Sequence, residues 1–262
     1  MQTKKITDHI VKWLSDYAVQ ACVKGYVVGV SGGVDSGVVS ALCAMTGLEV
    51  LLLEMPIRQK EDQVSRAREH IEDLKKKFLN VRSQQVNLTP VFGSFEKTIG
   101  EVDQGNTNKN LALANTRSRL RMLCLYYYAQ VHGLLVCGTG NKVEDFGVGF
   151  FTKYGDGGVD VSPIADLYKT EVYALAKALN LSESIQNAVP TDGLWDIERT
   201  DEEQIGARYA ELEKIQKEYG TKAVEEYKGR DKEVYLIFDR LHKANQHKMK
   251  AVPICRILEE WR

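Results

Sequence analysis

The stretch Tyr26-Val27-Val28-Gly29-Val30-Ser31-Gly32-Gly33-Val34-Asp35-Ser36 decides the fold. Its first half is a short apolar run of the kind that forms a buried strand, and Gly37 to Met45 beyond its second half has the pattern of a small-residue helix. The turn between them has the chemistry of a phosphate site. Glycines let a backbone approach phosphate oxygens closely and reach positive φ. A helix start adds unpaired N–H donors and the positive end of a dipole. Ser31 and Ser36 supply hydroxyls, and Asp35 a carboxylate able to hold a magnesium ion. The turn is neither GxxxxGK[ST], since it has no lysine, nor GxGxxG, since its glycines are spaced differently. A plain strand-to-helix turn explains a pair of glycines but not two serines and an aspartate in the same frame.

Outward from this turn, strands and helices alternate. Thr7 to Lys24 carries Ile10, Val11, Leu14, Ala18 and Cys22 at helical spacing. Glu49 to Met55 and Val81 to Val86 follow as strands, separated by a charged helix over Asp62 to Phe78. Leu111 to Val131 is a long helix and Leu134 to Cys137 a fourth strand. Such alternation predicts an α/β fold, a doubly wound and mainly parallel sheet, with ligands beyond the carboxyl ends of its strands. After Asp145 come a glycine-rich loop, Gly147 to Val161, and helices near Tyr168 to Leu179, Asp201 to Tyr219 and Lys232 to Ala244. With no repeat, low-complexity segment or linker, residues 1–262 are expected to form one domain with a helical carboxyl-terminal part.

Composition bounds the function. The 262 residues are 44% hydrophobic and 27% charged, as for a chain that buries a core. A net charge of −1 offers no global attraction to nucleic acid or an anionic membrane, and neither partner is expected. No apolar run reaches the roughly 18 residues that span a bilayer, and Met1 to His9 is polar. The five cysteines form no CxxC pair and stand in apolar contexts, which favours reduced core thiols and a cytoplasmic protein.

Four further segments carry chemistry. Asn115-Thr116-Arg117-Ser118-Arg119-Leu120-Arg121-Met122 places arginines at alternate positions of a helix, so they diverge and cannot all serve one ligand. Each suits an anionic ligand or a surface ion pair equally. Gly138-Thr139-Gly140-Asn141-Lys142-Val143-Glu144 follows the fourth strand, where Thr139 could touch a nucleotide and Glu144 could join Asp35 at a metal. Phe151-Thr152-Lys153-Tyr154-Gly155-Asp156-Gly157-Gly158-Val159-Asp160 suggests a mobile lid with charged groups. Lys169 opens the next helix against its dipole, which hints at an anionic ligand, although a solvated lysine fits the spacing nearly as well. Pro190 to Trp195 has the composition of a turn, and Thr200-Asp201-Glu202-Glu203 that of a helix cap.

The loop at Gly29 to Ser36 resembles the SGGxDS loop of the N-type ATP pyrophosphatases, which cleave ATP between the α and β phosphates. Together with the arginine segment, GTxxxxE, TKYGDGG and the Pro190-Thr191 turn, it resembles the bacterial NAD synthetases along most of the chain, as far as His247-Lys248. The resemblance implies a Rossmann-like sheet of the adenine nucleotide α hydrolase type. It implies that ATP adenylylates the carboxylate of deamido-NAD and that ammonia then displaces AMP. It further implies ATP contacts at Gly29, Val30, Ser31, Gly32, Gly33, Val34, Asp35, Ser36, Thr139, Lys169 and Thr191, and magnesium at Asp35 and Glu144. Deamido-NAD contacts fall on Arg119, Lys153, Asp160, His247 and Lys248, with Asp156 and Lys169 nearest the chemistry. Asp156 would position the ammonia or the acyl adenylate.

Ser118 departs from the alanine common in the family, and the stretch from Thr139 to Lys153 is one residue longer than in some relatives. Only about 25 residues precede the first strand, too few for an amidohydrolase domain, so free ammonia or a separate subunit is the expected nitrogen source. A homodimer is also implied. Leu111 to Val131 is apolar beyond one stripe and must pack in a core or against a partner. The competing readings are another ATP pyrophosphatase with a different acceptor, such as a GMP synthetase subunit, and a nucleotide-binding module without turnover.

Overall fold

The computed structural model describes residues 1–59, 61–100, 108–191, 193–195 and 199–262. Strands β1 (Gly25–Gly29), β2 (Glu49–Glu54), β3 (Val81–Gln85) and β4 (Leu135–Val136) form one sheet in the order β3-β2-β1-β4, every pairing parallel. Helices α1 (Thr3–Gln20), α2 (Val34–Met45), α3 (Glu61–Lys77), α4 (Thr89–Ile99) and α5 (Lys109–His132) separate or flank the strands.

Alternation along each strand divides its side chains between two cores. Tyr26, Val28, Val50 and Leu52 enter one cluster with α1 and α2, including Leu14, Val38 and Leu42. Val27, Leu51 and Leu53 enter the other with Phe92 of α4 and Ala129 of α5. A third cluster joins Val143 and Val148 to Leu212, Ile215 and Phe238 of the carboxyl-terminal helices. Those helices are α6 (Lys169–Ala178), α7 (Glu183–Gln186), α8 (Asp201–Ile205), α9 (Tyr209–Glu218) and α10 (Gly229–Met249). Among the described residues, no helix is long and apolar enough to cross a membrane.

The differences from the sequence expectations have local causes. Helix α2 begins at Val34 rather than Gly37, so Val34, Asp35 and Ser36 belong to its first turn. The expected helix over Asp201 to Tyr219 is two helices, broken where Gly206 takes φ +90 and caps α8. Val143–Val148 is a π-helical turn at the entrance of the expected loop. Helix α4 was not anticipated at all.

The cysteines correct the expectation of five core thiols. Cys43 and Cys137 are buried with sulfurs 3.6 Å apart, and Cys124 is half-buried. Cys22 and Cys255 are exposed, the first in a left-handed turn after α1 (φ 55), the second in the carboxyl-terminal tail.

Candidate active site

The phosphate loop leaves β1, the second strand from one edge, and enters α2 at the carboxyl end of the sheet. Gly32 turns at φ +83, which favours glycine. The loop holds itself by its hydroxyls. Ser31 N–H donates to Ser36 Oγ at 3.2 Å, Gly33 N–H to Ser31 Oγ at 3.2 Å, and Ser36 Oγ to the Gly33 carbonyl at 3.1 Å. Thr191 lines the same cleft as Ser31, Gly32 and Gly33. Thr139 lies beyond β4, the neighbour of β1.

Charge gathers behind the loop. Lys169 Nζ, 3% of the residue exposed, donates to Asp35 Oδ2 at 2.5 Å and to Glu144 Oε1 at 3.1 Å. The Tyr209 hydroxyl donates to the same Glu144 oxygen at 2.5 Å, and the ammonium lies 4.7 Å from the centre of the tyrosine ring. Burial opposes the charge on Lys169, but Asp35 and Glu144 outweigh it and lift its pKa above the ordinary lysine range. Burial pushes the Asp35 carboxyl up, against the pull of Lys169. The cation at the start of α6, unfavourable to that helix, is thus explained by two carboxylates from other elements. Thr170 offers its N–H and hydroxyl to buried Glu213 of α9 at 3.0 and 2.7 Å, which returns negative charge to the same helix end.

Asn141 is the hinge of this arrangement. Its amide donates to Asp35 Oδ1 at 3.2 Å, while its carbonyl oxygen accepts from the N–H groups of Val143 and Glu144 at 3.1 and 3.3 Å. One fully buried side chain therefore aligns the carboxylate of the phosphate loop with the turn that carries the other carboxylate. Asp145, next to Glu144, packs against Gly140, where a Cβ would stand 2.2 Å from its Oδ1. Burial, then the charges of Glu144, Asp156 and Asp35, push its pKa up to about 8.

The glycine-rich segment is stitched down on both sides. Ser118 of α5 donates to Asp156 Oδ1 at 2.5 Å and accepts the Asp156 N–H at 2.8 Å. A Cβ on Gly155 would meet Ser118 Oγ at 2.2 Å, so this glycine serves close approach rather than freedom. From α10, Lys248 Nζ donates to the carbonyls of Gly149 and Phe151 at 2.6 and 2.7 Å, and Lys153 Nζ reaches the His247 carbonyl at 2.5 Å. Arg119 donates to the Lys153 carbonyl at 3.3 Å.

Four of the five expected dinucleotide residues, Arg119, Lys153, His247 and Lys248, thus meet around one segment. Asp160, near the end of the same segment, bonds other partners, accepting from Val136 N–H at 2.8 Å and the Tyr126 hydroxyl at 3.0 Å. Arg117 and Arg121 diverge from Arg119 as the helix dictates. Arg117 bonds the Leu194 carbonyl and stacks 4.5 Å over Phe92, and Arg121 donates to the Met55 carbonyl at 3.1 Å. Asp192, within the expected turn, lies outside the described residues.

Asn141 and Tyr209 were not singled out from the sequence. Asn141 could have been found as an Asx side chain opening a helical turn. Tyr209 carries no such signal, since it is an ordinary core aromatic by pattern and 65 residues from Glu144. The helix cap at Thr200 is present, with reciprocal bonds to Glu203 at 3.1 and 2.9 Å.

A parallel sheet with a Ser-Gly-Gly phosphate turn, backed by a lysine-bridged carboxylate pair, agrees with comparisons to known proteins. The chain is 37% identical over 214 residues to the NH(3)-dependent NAD(+) synthetase of Finegoldia magna, covering 81% of this chain and 84% of that protein. It is 35% identical over 265 aligned residues to the one of Archaeoglobus fulgidus, covering 98% of each, so the likeness extends beyond bacterial proteins. A solved structure, the NMN synthetase of Francisella tularensis, superposes with a TM-score of 0.86 at 29% identity, covering 98% of this chain and 100% of that one. The sequence model of NAD synthase matches residues 6–252, and with it the chain belongs to the NAD synthase family.

Proposed function

We propose that this protein is an ammonia-dependent NAD synthetase, a ligase that forms a C–N bond. The observation that carries this reading is the convergence of Asp35, Glu144 and Lys169 behind the phosphate loop, in a chain of this family. ATP occupies Gly29 to Ser36 with Thr139, Lys169 and Thr191. Deamido-NAD takes Arg119, Lys153, Asp160, His247 and Lys248. A carboxylate is anionic and a poor electrophile. Its oxygen attacks the α-phosphorus of ATP, the bond to the bridging oxygen breaks, and pyrophosphate leaves with the electron pair. Neutral ammonia then attacks the carbonyl carbon of the mixed anhydride, AMP leaves with the electron pair of the broken carbon–oxygen bond, and the nitrogen gives up one proton to solvent, so that the amide remains. Asp156, held by Ser118, positions the amine, and Lys169 offsets charge at the reacting phosphate.

Magnesium fits the residues present. Asp35 and Glu144 present hard oxygens within 3.1 Å of a single cationic centre, and among the described residues no larger acidic or histidine cluster competes. Magnesium takes one or two carboxylates and completes its shell with water and phosphate. When bound by Asp35 and Glu144 it would neutralise charge on the phosphates.

The whole chain acts as one unit in this reading, because Tyr209 and Glu213 of the helical part brace Glu144 and α6. A homodimer is part of it. Leu123, Tyr127 and Val131 form an exposed stripe along α5, and the tail exposes Val252, Ile254, Leu258 and Trp261. A cytoplasmic site of action belongs to the same reading.

A second reading replaces the dinucleotide acceptor by nicotinate mononucleotide, favoured by the fit to the Francisella tularensis NMN synthetase. The test is AMP release with ammonium and each acceptor in turn: deamido-NAD, nicotinate mononucleotide, XMP and none. Preference for deamido-NAD supports the main reading. Preference for the mononucleotide replaces it with the second, and acceptor-independent AMP release overturns both.

A further inference from the structure

The two carboxylates behind the phosphate loop are bonded differently. Asp35 has one partner on each oxygen, the Asn141 amide at 3.2 Å on Oδ1 and Lys169 Nζ at 2.5 Å on Oδ2. Glu144 has both partners on the same oxygen, Lys169 Nζ at 3.1 Å and the Tyr209 hydroxyl at 2.5 Å on Oε1. Among the described residues none donates to its Oε2. The Glu144 side chain keeps 15% of its surface exposed, so the carboxylate is not sealed inside the core.

Tyr209 is built to hold that oxygen. It opens α9 with 4% of its surface exposed, packed in one cluster with Leu212, Ile215 and Phe238. Its N–H donates to Glu202 Oε1 of α8 at 2.9 Å, which fixes the backbone, and the Lys169 ammonium lies over its ring. A phenol has one proton to give. Asp201 Oδ2 stands 3.3 Å from the hydroxyl against 2.5 Å for Glu144 Oε1, so the proton goes to Glu144. Two donors use both lone pairs of Oε1, and Oε2 retains its own.

We propose that Tyr209 is a positioning residue that sets metal selectivity: by occupying Oε1 it offers a metal one oxygen of Glu144 and not two. This inference rests on the magnesium assignment given above. Magnesium demands a near-octahedral shell and keeps several waters, so one oxygen from each carboxylate serves it. Calcium is larger, takes roughly six to eight oxygens, and gains from a carboxylate that binds through both. Without the Tyr209 hydroxyl, Oε1 would keep only its longer bond, to Lys169, whose shorter bond is to Asp35. Calcium could then take both oxygens of Glu144. Tyr209 touches no substrate in this role and acts on the metal only through Glu144.

The test is calorimetric titration of the full chain with the magnesium and the calcium complex of an ATP analogue. The analogue carries a methylene bridge between the α- and β-phosphorus and cannot be cleaved there. The parent should prefer the magnesium complex. Tyr209→Phe, which keeps the ring beside Lys169, should lower that preference roughly 10-fold, the span of one hydrogen bond to a carboxylate, with calcium gaining affinity. Equal weakening of both complexes would mean that Tyr209 only supports the fold, and would overturn the proposal, as would an unchanged ratio or a parent that prefers calcium. Should Tyr209→Phe fail to fold, Tyr209→Leu removes the same hydroxyl and gives the same readout. Glu144→Gln separates this inference from the assignment beneath it. If Glu144→Gln weakens neither complex, the magnesium assignment falls and this inference with it. If Glu144→Gln weakens both while Tyr209→Phe leaves the ratio unchanged, this inference falls alone.

Discussion

Lys169 Nζ stands 2.5 Å from Asp35 Oδ2 and 3.1 Å from Glu144 Oε1, so one ammonium from α6 joins a carboxylate of the phosphate loop to one of the π-helical turn. Removing it leaves two half-buried anions facing each other, and breaking such a pair costs at most about 3–5 kcal/mol, the figure for a fully buried one. Lys169→Met should therefore unfold at markedly lower urea than the parent. Magnesium should restore more stability to the variant than it adds to the parent, because it would supply the missing positive charge. Urea titrations with and without magnesium check this, and identical midpoints for variant and parent would refute it.

The metal assignment predicts a second outcome. Asp35→Asn and Glu144→Gln should each lower AMP formation by roughly 100-fold or more while the chain stays folded. If both serve one ion, the double variant should lose far less than the product of the single losses. Full multiplicativity in the rate of AMP formation would show that they act separately.

His70 gives a pH prediction. Burial pushes its pKa from 6.5 down to about 4, against the pull of Asp73. A depressed value means that the unfolded chain binds the proton more readily. Its contribution is therefore intact above about pH 6.5 and is lost as pH falls toward 4, by about 3 kcal/mol in all. His70→Gln keeps an amide opposite Ser40 and removes this titration. Unfolding free energies measured at pH 7, 6, 5 and 4 should fall less steeply for the variant. Parallel curves would show that His70 does not titrate as its burial implies.

The exposed stripe on α5 tests assembly. Tyr127 is 63% exposed, so a charge there cannot disturb the monomer core much. Tyr127→Asp should give monomers in light scattering, weaken deamido-NAD binding strongly, and leave ATP binding close to that of the parent. A folded monomer with normal deamido-NAD affinity would rule out a shared site.

Much of this architecture was legible in the residues. The apolar runs of β1 and β2 announced buried strands, and the Ser-Gly-Gly turn announced the phosphate site. The arginines at 117, 119 and 121 diverge because helical geometry requires it. Other features depend on contacts distant in sequence. Lys169 could not be separated from a solvated lysine until Asp35, 134 positions away, was seen to bond it. The many glycines around Asp156 suggested a lid; that Gly155 and Gly158 also allow close packing against Ser118 and Met122 of α5 was invisible until those side chains were placed. Helix α4 starts with Pro90 at an early position and has a glycine in the middle, Gly93, which weakens a helical reading of Thr89–Ile99.

The cysteine layout gives the chain a built-in reporter. Cys22 and Cys255 lie open to reagents, whereas Cys43 and Cys137 face each other inside the core, where burial holds the Cys137 thiol protonated. A maleimide should modify the first two quickly, half-buried Cys124 more slowly, and the buried pair only when the sheet separates from α2, so labelling of Cys43 and Cys137 measures opening of the nucleotide half without an engineered cysteine. Cys255 also sits among the exposed apolar residues of the tail. Protein concentration should slow its modification if a second chain covers that tail, and leave Cys22 as an internal clock.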